Sequence, residues 1–312
     1  MPCTSRLLVV SIDNMSRIVI TIVGSSIPPS LEAQAAKTVR DAGAEIVTIN
    51  MLDRARAIDI LVEGDNPALI TALRARFSNF GPYDIFVQQD NVSRRKKLLL
   101  ADMDATIVTQ ETLDELAGLA GVKEKVAPIT EKAMRGEIDF AEALAMRVAL
   151  LKGFPLQKVH ALAGKVSFSP GVTALVATMR RFDARCVLVS GGFDVFTESV
   201  AQSLGFHAHH ANRLATDGAT LLGNIIPPIL DKEAKARILT EEAAKLLCPL
   251  EFVMAVGDGA NDIPMLEKAG TGVGYFAKPA VLAATPHQIR HTNLSALLYM
   301  QGYTEKEIAV AK

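Results

Sequence analysis

An apolar run at residues 98–102, "LLLAD", ends in Asp102, and a second aspartate, Asp104, stands two positions later. A third carboxylate, Glu111, lies seven residues beyond Asp104. Placing charge beside a core strand costs free energy unless something pairs with it. The end of this run is therefore a candidate site that needs a positively charged partner.

Two further apolar runs end in small or polar residues, "RCVLVSGG" at 185–192 and "FVMAVGDGAND" at 252–262. From residue 97 onward such runs alternate with helical segments, which predicts a parallel sheet covered on both faces. Ligands of open α/β sheets bind beyond the carboxyl ends of the strands. We therefore expect one group of side chains to converge: Asp102, Asp104, Ser190, Gly191, Asp258, Asn261 and Asp262.

The four carboxylates of this group predict a metal site. At ~4 Å two like charges repel by about 4 kcal/mol at an effective dielectric of ~20. A divalent cation removes that cost, and oxygen ligands without His or Cys favour Mg²⁺ over zinc. Ser190 and the Gly191–Gly192 backbone offer donors to phosphate oxygens, and Lys235 offers a point charge to a phosphoryl group.

Four segments together carry a family resemblance: "DMDAT", "SGGFD", the Lys235 segment "DKEAKARIL" and "GDGAND". In this order and spacing they resemble the haloacid dehalogenase superfamily of phosphotransferases. The longer stretches "DMDATIVTQETLDELAGLAGV" and "EKAMRGEIDFAEALAMRVALLKG" are similar to its phosphoserine phosphatases. The likeness runs from about residue 97 to about residue 295, with Ala105 where many members carry Ser.

The resemblance implies hydrolysis of O-phospho-L-serine to L-serine and phosphate, the last step of serine biosynthesis. Asp102 would attack phosphorus to form an aspartyl-phosphate. Asp104 would protonate the departing serine oxygen and then activate water. Mg²⁺ would be held by Asp102, the Asp104 backbone carbonyl and Asp258, with Asp262 orienting them. The expected contacts of the phosphoryl group come from Ser190, the Gly191 N–H, Lys235 and Asn261.

Residues 112 to about 168 are too many for a simple crossover, and their helical patterning predicts a small cap. By resemblance such a cap selects the substrate. Glu111 would face its ammonium and Arg147 its carboxylate, which the planar guanidinium fits. Met134 and Phe140 would form an apolar wall. Other interpretations stay open: surface residues for Glu111 and Arg147, core positions for Met134 and Phe140, a helix cap for Asn261, and Lys232 in place of Lys235.

The preceding segment, residues 18–89, predicts a βαββαβ order and a ferredoxin-like fold. We expect its helices to begin at Ser30 and at Asn66–Pro67. Length and order resemble the ACT regulatory domain, which would sense an amino acid, although a packing or dimerisation role is the alternative. We predict an ACT-like domain at 1–90, a solvated basic linker at 91–97, and a doubly wound Rossmann-like phosphatase domain at 98–312.

Composition narrows the classes of function. Hydrophobic residues make up 49% of the 312 residues, charged residues 21%, and the net charge is −1, so neither nucleic acid nor an anionic membrane is an expected partner.

The start, "MPCTSRLLVVSIDN", predicts an ordinary terminus rather than a secretory signal. Cys3, Cys186 and Cys248 have no metal-type spacing, which favours a reduced, cytoplasmic protein. We expect the histidines of "HAHH" (207–210) to be exposed rather than metal ligands.

Two rival functions stay open. The first is a phosphotransferase, or a phosphatase for another small phosphomonoester, because both would use the same aspartyl-phosphate. The second is an amino-acid sensor with a relic catalytic half. Retention of Asp102, Asp104, Lys235 and Asp258 argues against the sensor.

Overall fold

The computed structural model describes residues 17–135 and 137–309, and it contains two sheets. The first is antiparallel in the order β2-β3-β1-β4, with the predicted βαββαβ succession. Its elements are β1 (Arg17–Val23), α1 (Leu31–Asp41), β2 (Ile46–Asp53), β3 (Ala57–Glu63), α2 (Pro67–Phe77) and β4 (Asp84–Asp90). The helices cover one face of this sheet through a core that includes Ile20, Val39 and Leu73.

Both helices of this domain begin where the sequence predicted, but only α2 has a side-chain cap. Asn66 caps α2, because its side chain accepts a hydrogen bond from the Ala68 N–H at 2.8 Å, with Pro67 in the first turn. Ser30 precedes α1 but makes no side-chain cap bond. Its backbone is already helical, at φ −74° and ψ −14°, whereas a capping residue has an extended backbone. Helix α1 therefore begins directly after Ser30, as predicted, but without a side-chain cap bond from that residue.

The second sheet has the order β11-β10-β9-β5-β6-β7-β8 and confirms the predicted Rossmann-like class. All neighbouring strands pair in parallel except β7 and β8, which form an antiparallel hairpin around Asp217–Gly218. The strands are β5 (Leu98–Asp102), β6 (Arg185–Phe193), β7 (Ala208–Thr216), β8 (Leu221–Ile226), β9 (Val253–Gly257), β10 (Thr271–Tyr275) and β11 (His287–Ile289).

Helices pack on both faces of this sheet. Alternate side chains of β5 enter different cores: Leu98 and Leu100 enter one, and Leu99 and Ala101 the other. Both faces of β5 are buried, which explains its uninterrupted apolar run. The helices are α3 (Thr112–Leu119), α4 (Lys123–Met134), α5 (Phe140–Ala149), α6 (Leu156–Ala163), α7 (Val172–Arg181), α8 (Asp194–Leu204), α9 (Lys232–Lys245), α10 (Ile263–Lys268), α11 (Pro279–Ala284) and α12 (Ala296–Met300).

The second face of the antiparallel sheet packs against the C-terminal part of the chain. Tyr299 of α12 donates a hydrogen bond to Asp53 at 2.6 Å. Asp84 accepts hydrogen bonds from the backbone N–H groups of residues 290–292. Apolar side chains of β4 and α12, such as Phe86 and Leu297, share one core. The junction between the two sheets is thus both apolar and hydrogen-bonded.

The expectation of a solvated basic linker is wrong for two of its four cations. Arg94 pairs with the buried carboxylate of Asp59 at 2.7 Å, and its side chain is 10% exposed. Lys96 is also buried, whereas Arg95 and Lys97 are exposed. Arg94 is buried for an electrostatic reason. Asp59 lies on the sheet face that the C-terminal part covers, and its buried carboxylate needs a positively charged partner.

The histidines of "HAHH" are less exposed than expected. His207 is exposed, but His209 and His210 are half-buried. His209 Nδ1 lies 2.9 Å from Thr197 Oγ1, and His210 Nε2 lies 3.6 Å from the buried carboxylate of Glu242. Across the described ranges, none of the three belongs to a cluster with metal-ligand geometry. Nor does any helix in those ranges have the length and apolar character to span a bilayer.

Candidate active site

The site lies at the carboxyl end of β5, the middle strand of its sheet. Asp102 is the last residue of β5, and its Oδ1 accepts a hydrogen bond from Lys235 Nζ at 2.5 Å. The same Nζ donates to Asp262 Oδ1 at 2.6 Å. All three side chains are at most 5% exposed. One buried ammonium on α9 therefore holds two buried carboxylates, one at the end of β5 and one in the turn after β9.

The electrostatics of this cluster favour an additional cation. Burial and the charge of Asp262 raise the pKa of Asp102, against the effect of Lys235. Burial lowers the pKa of Lys235, but the charges of Asp102 and Asp262 outweigh it and raise that pKa above its ordinary value. Oxygens of Asp102, Asp258 and Asp262 lie within 4.8 Å of one another. Because all the donors are oxygens, the cluster fits a hard divalent cation.

The hydrogen bonds distinguish the three carboxylates. Asp262 is satisfied by the protein on both oxygens, since Lys235 donates to Oδ1 and the Gly259 N–H donates to Oδ2 at 3.1 Å. Among the described residues, the Asp258 carboxylate has one ion-pair partner, Lys278 Nζ, 3.0 Å from its Oδ2. Burial raises the pKa of Asp258, and Lys278 opposes that rise. Asp258 is therefore better placed than Asp262 to bind a ligand directly.

Asp104 is held by hydroxyl and backbone donors. Its Oδ1 accepts from the N–H of Thr112 at 2.7 Å and from the hydroxyl at 2.6 Å, and Ser190 Oγ donates to Oδ2 at 2.8 Å. The chain turns away through Ala105, whose φ of +52° lies in the left-handed region. The carboxylate is thus fixed at the start of α3 and faces β6.

Glycine at positions 191 and 192 keeps the backbone near this carboxylate accessible. A Cβ on Gly192 would lie 3.0 Å from Ser190 Oγ and 3.1 Å from Asp104 Oδ2, closer than ordinary contact. The Gly192 N–H also donates to Ser190 Oγ at 2.8 Å. A Cβ on Gly191 would touch the ring of Phe140 at 3.4 Å. Phe140, from α5, therefore lies over the glycine pair.

These groups surround a cavity of about 230 Å³. Two oppositely charged side chains stand in its wall, Glu111 before α3 and Arg147 on α5. Burial raises the pKa of Glu111 and lowers that of Arg147. The lining consists of Asp102, Asp104, Glu111, Thr112, Leu113, Phe140, Leu144, Arg147, Gly191, Gly192, Asp258, Asn261 and Lys278.

The structure thus brings together every predicted site residue whose side chain it describes. Most of them line the cavity, while Ser190, Lys235 and Asp262 lie directly behind it, hydrogen-bonded to Asp104 or Asp102 or to each other. The side chain of Met134 lies outside what the structure describes.

Sequence reasoning missed Thr112 and Lys278. Lys278 lies 3.0 Å from Asp258 and 3.5 Å from Glu111, just after β10. A signal was present, because the short run "TGVGY" of β10 is followed by Lys278 and the carboxyl end of this parallel strand meets the same edge of the sheet. Thr112 had no such signal, since its contact with Asp104 depends on the path of residues 105–111.

A Rossmann-like sheet with paired aspartates beyond its central strand, a glycine pair and an oxygen-only acidic cluster defines a class of α/β proteins that act on phosphate groups. The sequence model of the haloacid dehalogenase-like hydrolases matches residues 99–267. The chain therefore belongs to the haloacid dehalogenase-like hydrolase family.

Individual relatives extend the similarity beyond that domain. A phosphoserine phosphatase from Saccharomyces cerevisiae is 34% identical over 94% of this chain and 99% of its own length. One from Mycobacterium tuberculosis is 40% identical over 70% of this chain, which spans only 53% of that relative. The crystal structure of a HAD family hydrolase from Salmonella enterica superposes with a TM-score of 0.81 at 26% identity, covering 91% of this chain and 98% of the other.

Proposed function

We propose that this protein hydrolyses O-phospho-L-serine to L-serine and inorganic phosphate. The observation that carries the proposal is the pair Glu111 and Arg147, which line the same cavity as Asp102 and Asp104. A carboxylate suits the ammonium of the substrate, and a guanidinium fork suits its carboxylate. Phosphoserine is a small phosphate ester that presents both groups, and the yeast and mycobacterial relatives carry the name of this activity.

Asp102 acts as the nucleophile. Lys235 occupies its Oδ1, so Oδ2 attacks phosphorus and forms the aspartyl-phosphate as the bond to the serine oxygen breaks. Asp104 donates the proton that the departing serine oxygen takes up. It then accepts a proton from the water that hydrolyses the intermediate, which returns both carboxylates to their starting state.

Mg²⁺ is the cation that we assign to the acidic cluster, held by Asp102, the backbone carbonyl of Asp104 and Asp258. When bound, it supplies positive charge to the phosphoryl oxygens. Both oxygens of Asp262 already have protein partners, so Asp262 does not bind the cation directly. It orients Asp102 through Lys235, which donates to both carboxylates. The Gly191 N–H and Asn261 bind the phosphoryl oxygens from the cavity wall, and Ser190 and Lys235 do so from directly behind it, beside Asp104 and Asp102. Phe140 and Leu144 shield the reacting group from water.

We also propose the domain division 1–90, 91–97 and 98–312, with a helical cap at about 112–168. Helices α3 to α6 supply this cap, and α5 contributes Phe140, Leu144 and Arg147 to the cavity wall. The free thiols of Cys186 and Cys248 are compatible with a reducing cytoplasm.

A homodimer through the N-terminal domain is a further proposal. Strand β2 lies at the edge of the antiparallel sheet, and its side chains Val47 and Met51 are 43% and 44% exposed. An edge strand with exposed apolar side chains is a surface for pairing with a second chain. Light scattering of the wild type and Val47→Lys would test this: the variant should be monomeric at concentrations where the wild type is dimeric.

The function is tested by phosphate release from a panel of esters with added Mg²⁺. The panel is phosphoserine, phosphoethanolamine, which lacks the carboxylate, and 3-phosphoglycerate, which lacks the amine, each with and without an acceptor alcohol. The account predicts the highest kcat/KM for phosphoserine and water as the acceptor. Equal kcat/KM across the panel, or phosphorylated alcohol as the main product, would contradict it.

A further inference from the structure

A second cavity, of about 340 Å³, lies at the junction between the antiparallel sheet and the Rossmann-like sheet. Its lining comes from α2, β4, residues 91–96 and the starts of β10 and β11. It shares no lining residue with the active-site cavity. The proposed hydrolysis therefore gives this cavity no role.

Arg74 of α2 is the first cation in its wall. Both Nε and Nη2 donate to the backbone carbonyl of Val87, at 3.2 and 2.9 Å. Within the ranges that the structure describes, no carboxylate lies within 4 Å of this guanidinium. A carbonyl carries no full charge, so the charge of Arg74 is not compensated by the neighbours that hold it.

Lys96 is the second cation and is more deeply buried, at 5% exposure. Its Nζ donates to the backbone carbonyl of Glu251 at 2.8 Å, and no carboxylate oxygen of the described residues lies within 4 Å. Burial lowers the pKa of Lys96 to about 8. A buried charge without a countercharge costs several kcal/mol.

His287 completes the group. It is 7% exposed, and its Nδ1 has no hydrogen-bond partner among the described residues. Burial and the nearby charges of Arg74 and Lys96 lower its pKa to about 3, so the ring is neutral. Buried polar atoms nearly always have partners. Two cations of one cavity wall thus lack a countercharge, and one imidazole nitrogen of the same wall lacks a hydrogen-bond partner, among the residues that the structure describes.

Arg94 lies in the same lining and provides an internal comparison. It pairs with Asp59 at 2.7 Å and with Asp90 at 3.3 Å, and it donates to the Met300 carbonyl. The fold therefore does place carboxylates beside a buried cation at this junction, but it places none beside Arg74 and Lys96. The acid of the lining, Glu251, is exposed; its backbone carbonyl accepts from Lys96 and its charge partly opposes the effect of burial on Lys96, but its carboxylate makes no ion pair with either cation among the described residues.

We propose that this cavity binds a small oxyanion, a phosphate or a carboxylate group, between Arg74, Lys96 and His287. An anion suits both cations, and a neutral imidazole donates from one nitrogen to its oxygens. Arg74 belongs to the N-terminal domain, whereas Lys96 and His287 flank the phosphatase sheet. A bound anion thus joins the two parts of the chain and stabilises their junction.

The experiment is calorimetric titration of the full-length protein, first freed of divalent metal and of chelator by dialysis, with inorganic phosphate and, separately, with citrate. The wild type should bind one anion per chain at this cavity. Arg74→Met and Lys96→Met should each weaken binding roughly tenfold or more, since each removes charge-assisted hydrogen bonds. Arg76→Met and Lys97→Met, which alter exposed neighbours, should leave the affinity unchanged. The stronger of the two anions identifies the ligand as phosphate-like or carboxylate-like.

Melting temperature and hydrogen exchange test the proposal independently of the binding titration. In anion-free buffer Arg74→Met and Lys96→Met should melt no lower than the wild type, because each removes an uncompensated charge. In the wild type, phosphate or citrate should slow hydrogen exchange at residues 67–77 and 287–289. Turnover with Mg²⁺ should be unchanged in all four variants, which separates this site from the proposed activity. Equal affinity in all four variants, or exchange unaltered by either anion, would overturn the proposal.

Discussion

Lys235 Nζ lies 2.5 Å from Asp102 Oδ1 and 2.6 Å from Asp262 Oδ1, with all three side chains buried. This single ammonium connects α9 to the loops after β5 and β9. It orients the carboxylate that we assign as the nucleophile, and it keeps two buried negative charges compatible with the fold. Catalysis and stability therefore depend on the same pair of contacts.

Replacing Lys235 should therefore damage both properties. Lys235→Met leaves Asp102 and Asp262 without their cation, so we expect a loss of about 3–5 kcal/mol in the free energy of unfolding and near-complete loss of turnover. Urea denaturation and phosphate release measure the two effects. Lys232→Met, on the exposed side of the same helix, is the matched control and should behave as the wild type. Similar effects from both variants would remove Lys235 from the site.

Arg147 should determine substrate choice rather than chemistry. Arg147→Ala should lower kcat/KM for phosphoserine roughly tenfold to a hundredfold, because it removes charge-assisted hydrogen bonds to the substrate carboxylate. Phosphoethanolamine, which lacks that carboxylate, should lose far less. Steady-state kinetics on both esters, with the exposed Arg135→Ala as control, measure the difference. Equal losses on the two esters would show that Arg147 does not bind the carboxylate.

Removal of divalent metal should abolish turnover, and Mg²⁺ should restore it. The physical reason is the crowding of Asp102, Asp258 and Asp262, whose oxygens lie within 4.8 Å of one another. Added Mg²⁺ should also raise the melting temperature, since a ligand that binds the folded state stabilises it. Asp258→Asn should abolish this thermal shift. Full activity in EDTA would refute the assignment of the cluster as a metal site.

The buried His287 should make stability depend on pH. Its folded pKa is about 3, against 6.5 for the ordinary group, so the unfolded chain binds a proton that the folded chain does not. Stability is then complete above pH 6.5 and falls progressively as the pH drops toward 3. At pH 5 the loss is (6.5 − 5) × 1.36, or about 2 kcal/mol.

Urea denaturation at pH 7.5 and pH 5 tests this linkage. His287→Gln should lose about 2 kcal/mol less than the wild type between the two pH values. His160→Gln, at an exposed position, should follow the wild type. If His287→Gln and the wild type lose the same free energy, then His287 is not the group that titrates.

Much of this site could be predicted because its residues follow strands. Asp102, Ser190 and Asp258 each come directly after an apolar run, and parallel strands end at one edge, so their convergence follows from topology. The partners of buried charges could not be predicted in this way. In the sequence, Arg94 belongs to a basic run that is typical of a solvated linker. Its position beside Asp59 results from the packing of the second face of the antiparallel sheet, which the sequence does not show.

The sequence also could not predict which helix has a side-chain cap or that two of the "HAHH" histidines are half-buried. Ser30 and Asn66 both suit a cap, and the difference lies in the backbone before each helix, which is helical at Ser30 and extended at Asn66. The pairing of β7 with β6, a long-range contact, places His209 beside Thr197 and His210 beside Glu242. Local pattern carries no information on such distant partners.

The central claim is that Asp102 accepts the phosphoryl group covalently. The direct measurement is acid quenching of the Mg²⁺-containing protein during turnover of phosphoserine labelled at phosphorus, followed by peptide mass spectrometry. The account predicts a hydroxylamine-sensitive label on the peptide that contains Asp102, absent from Asp102→Asn and retained by Lys232→Met. A label on Ser190 or elsewhere, or turnover without any label on Asp102, would contradict it.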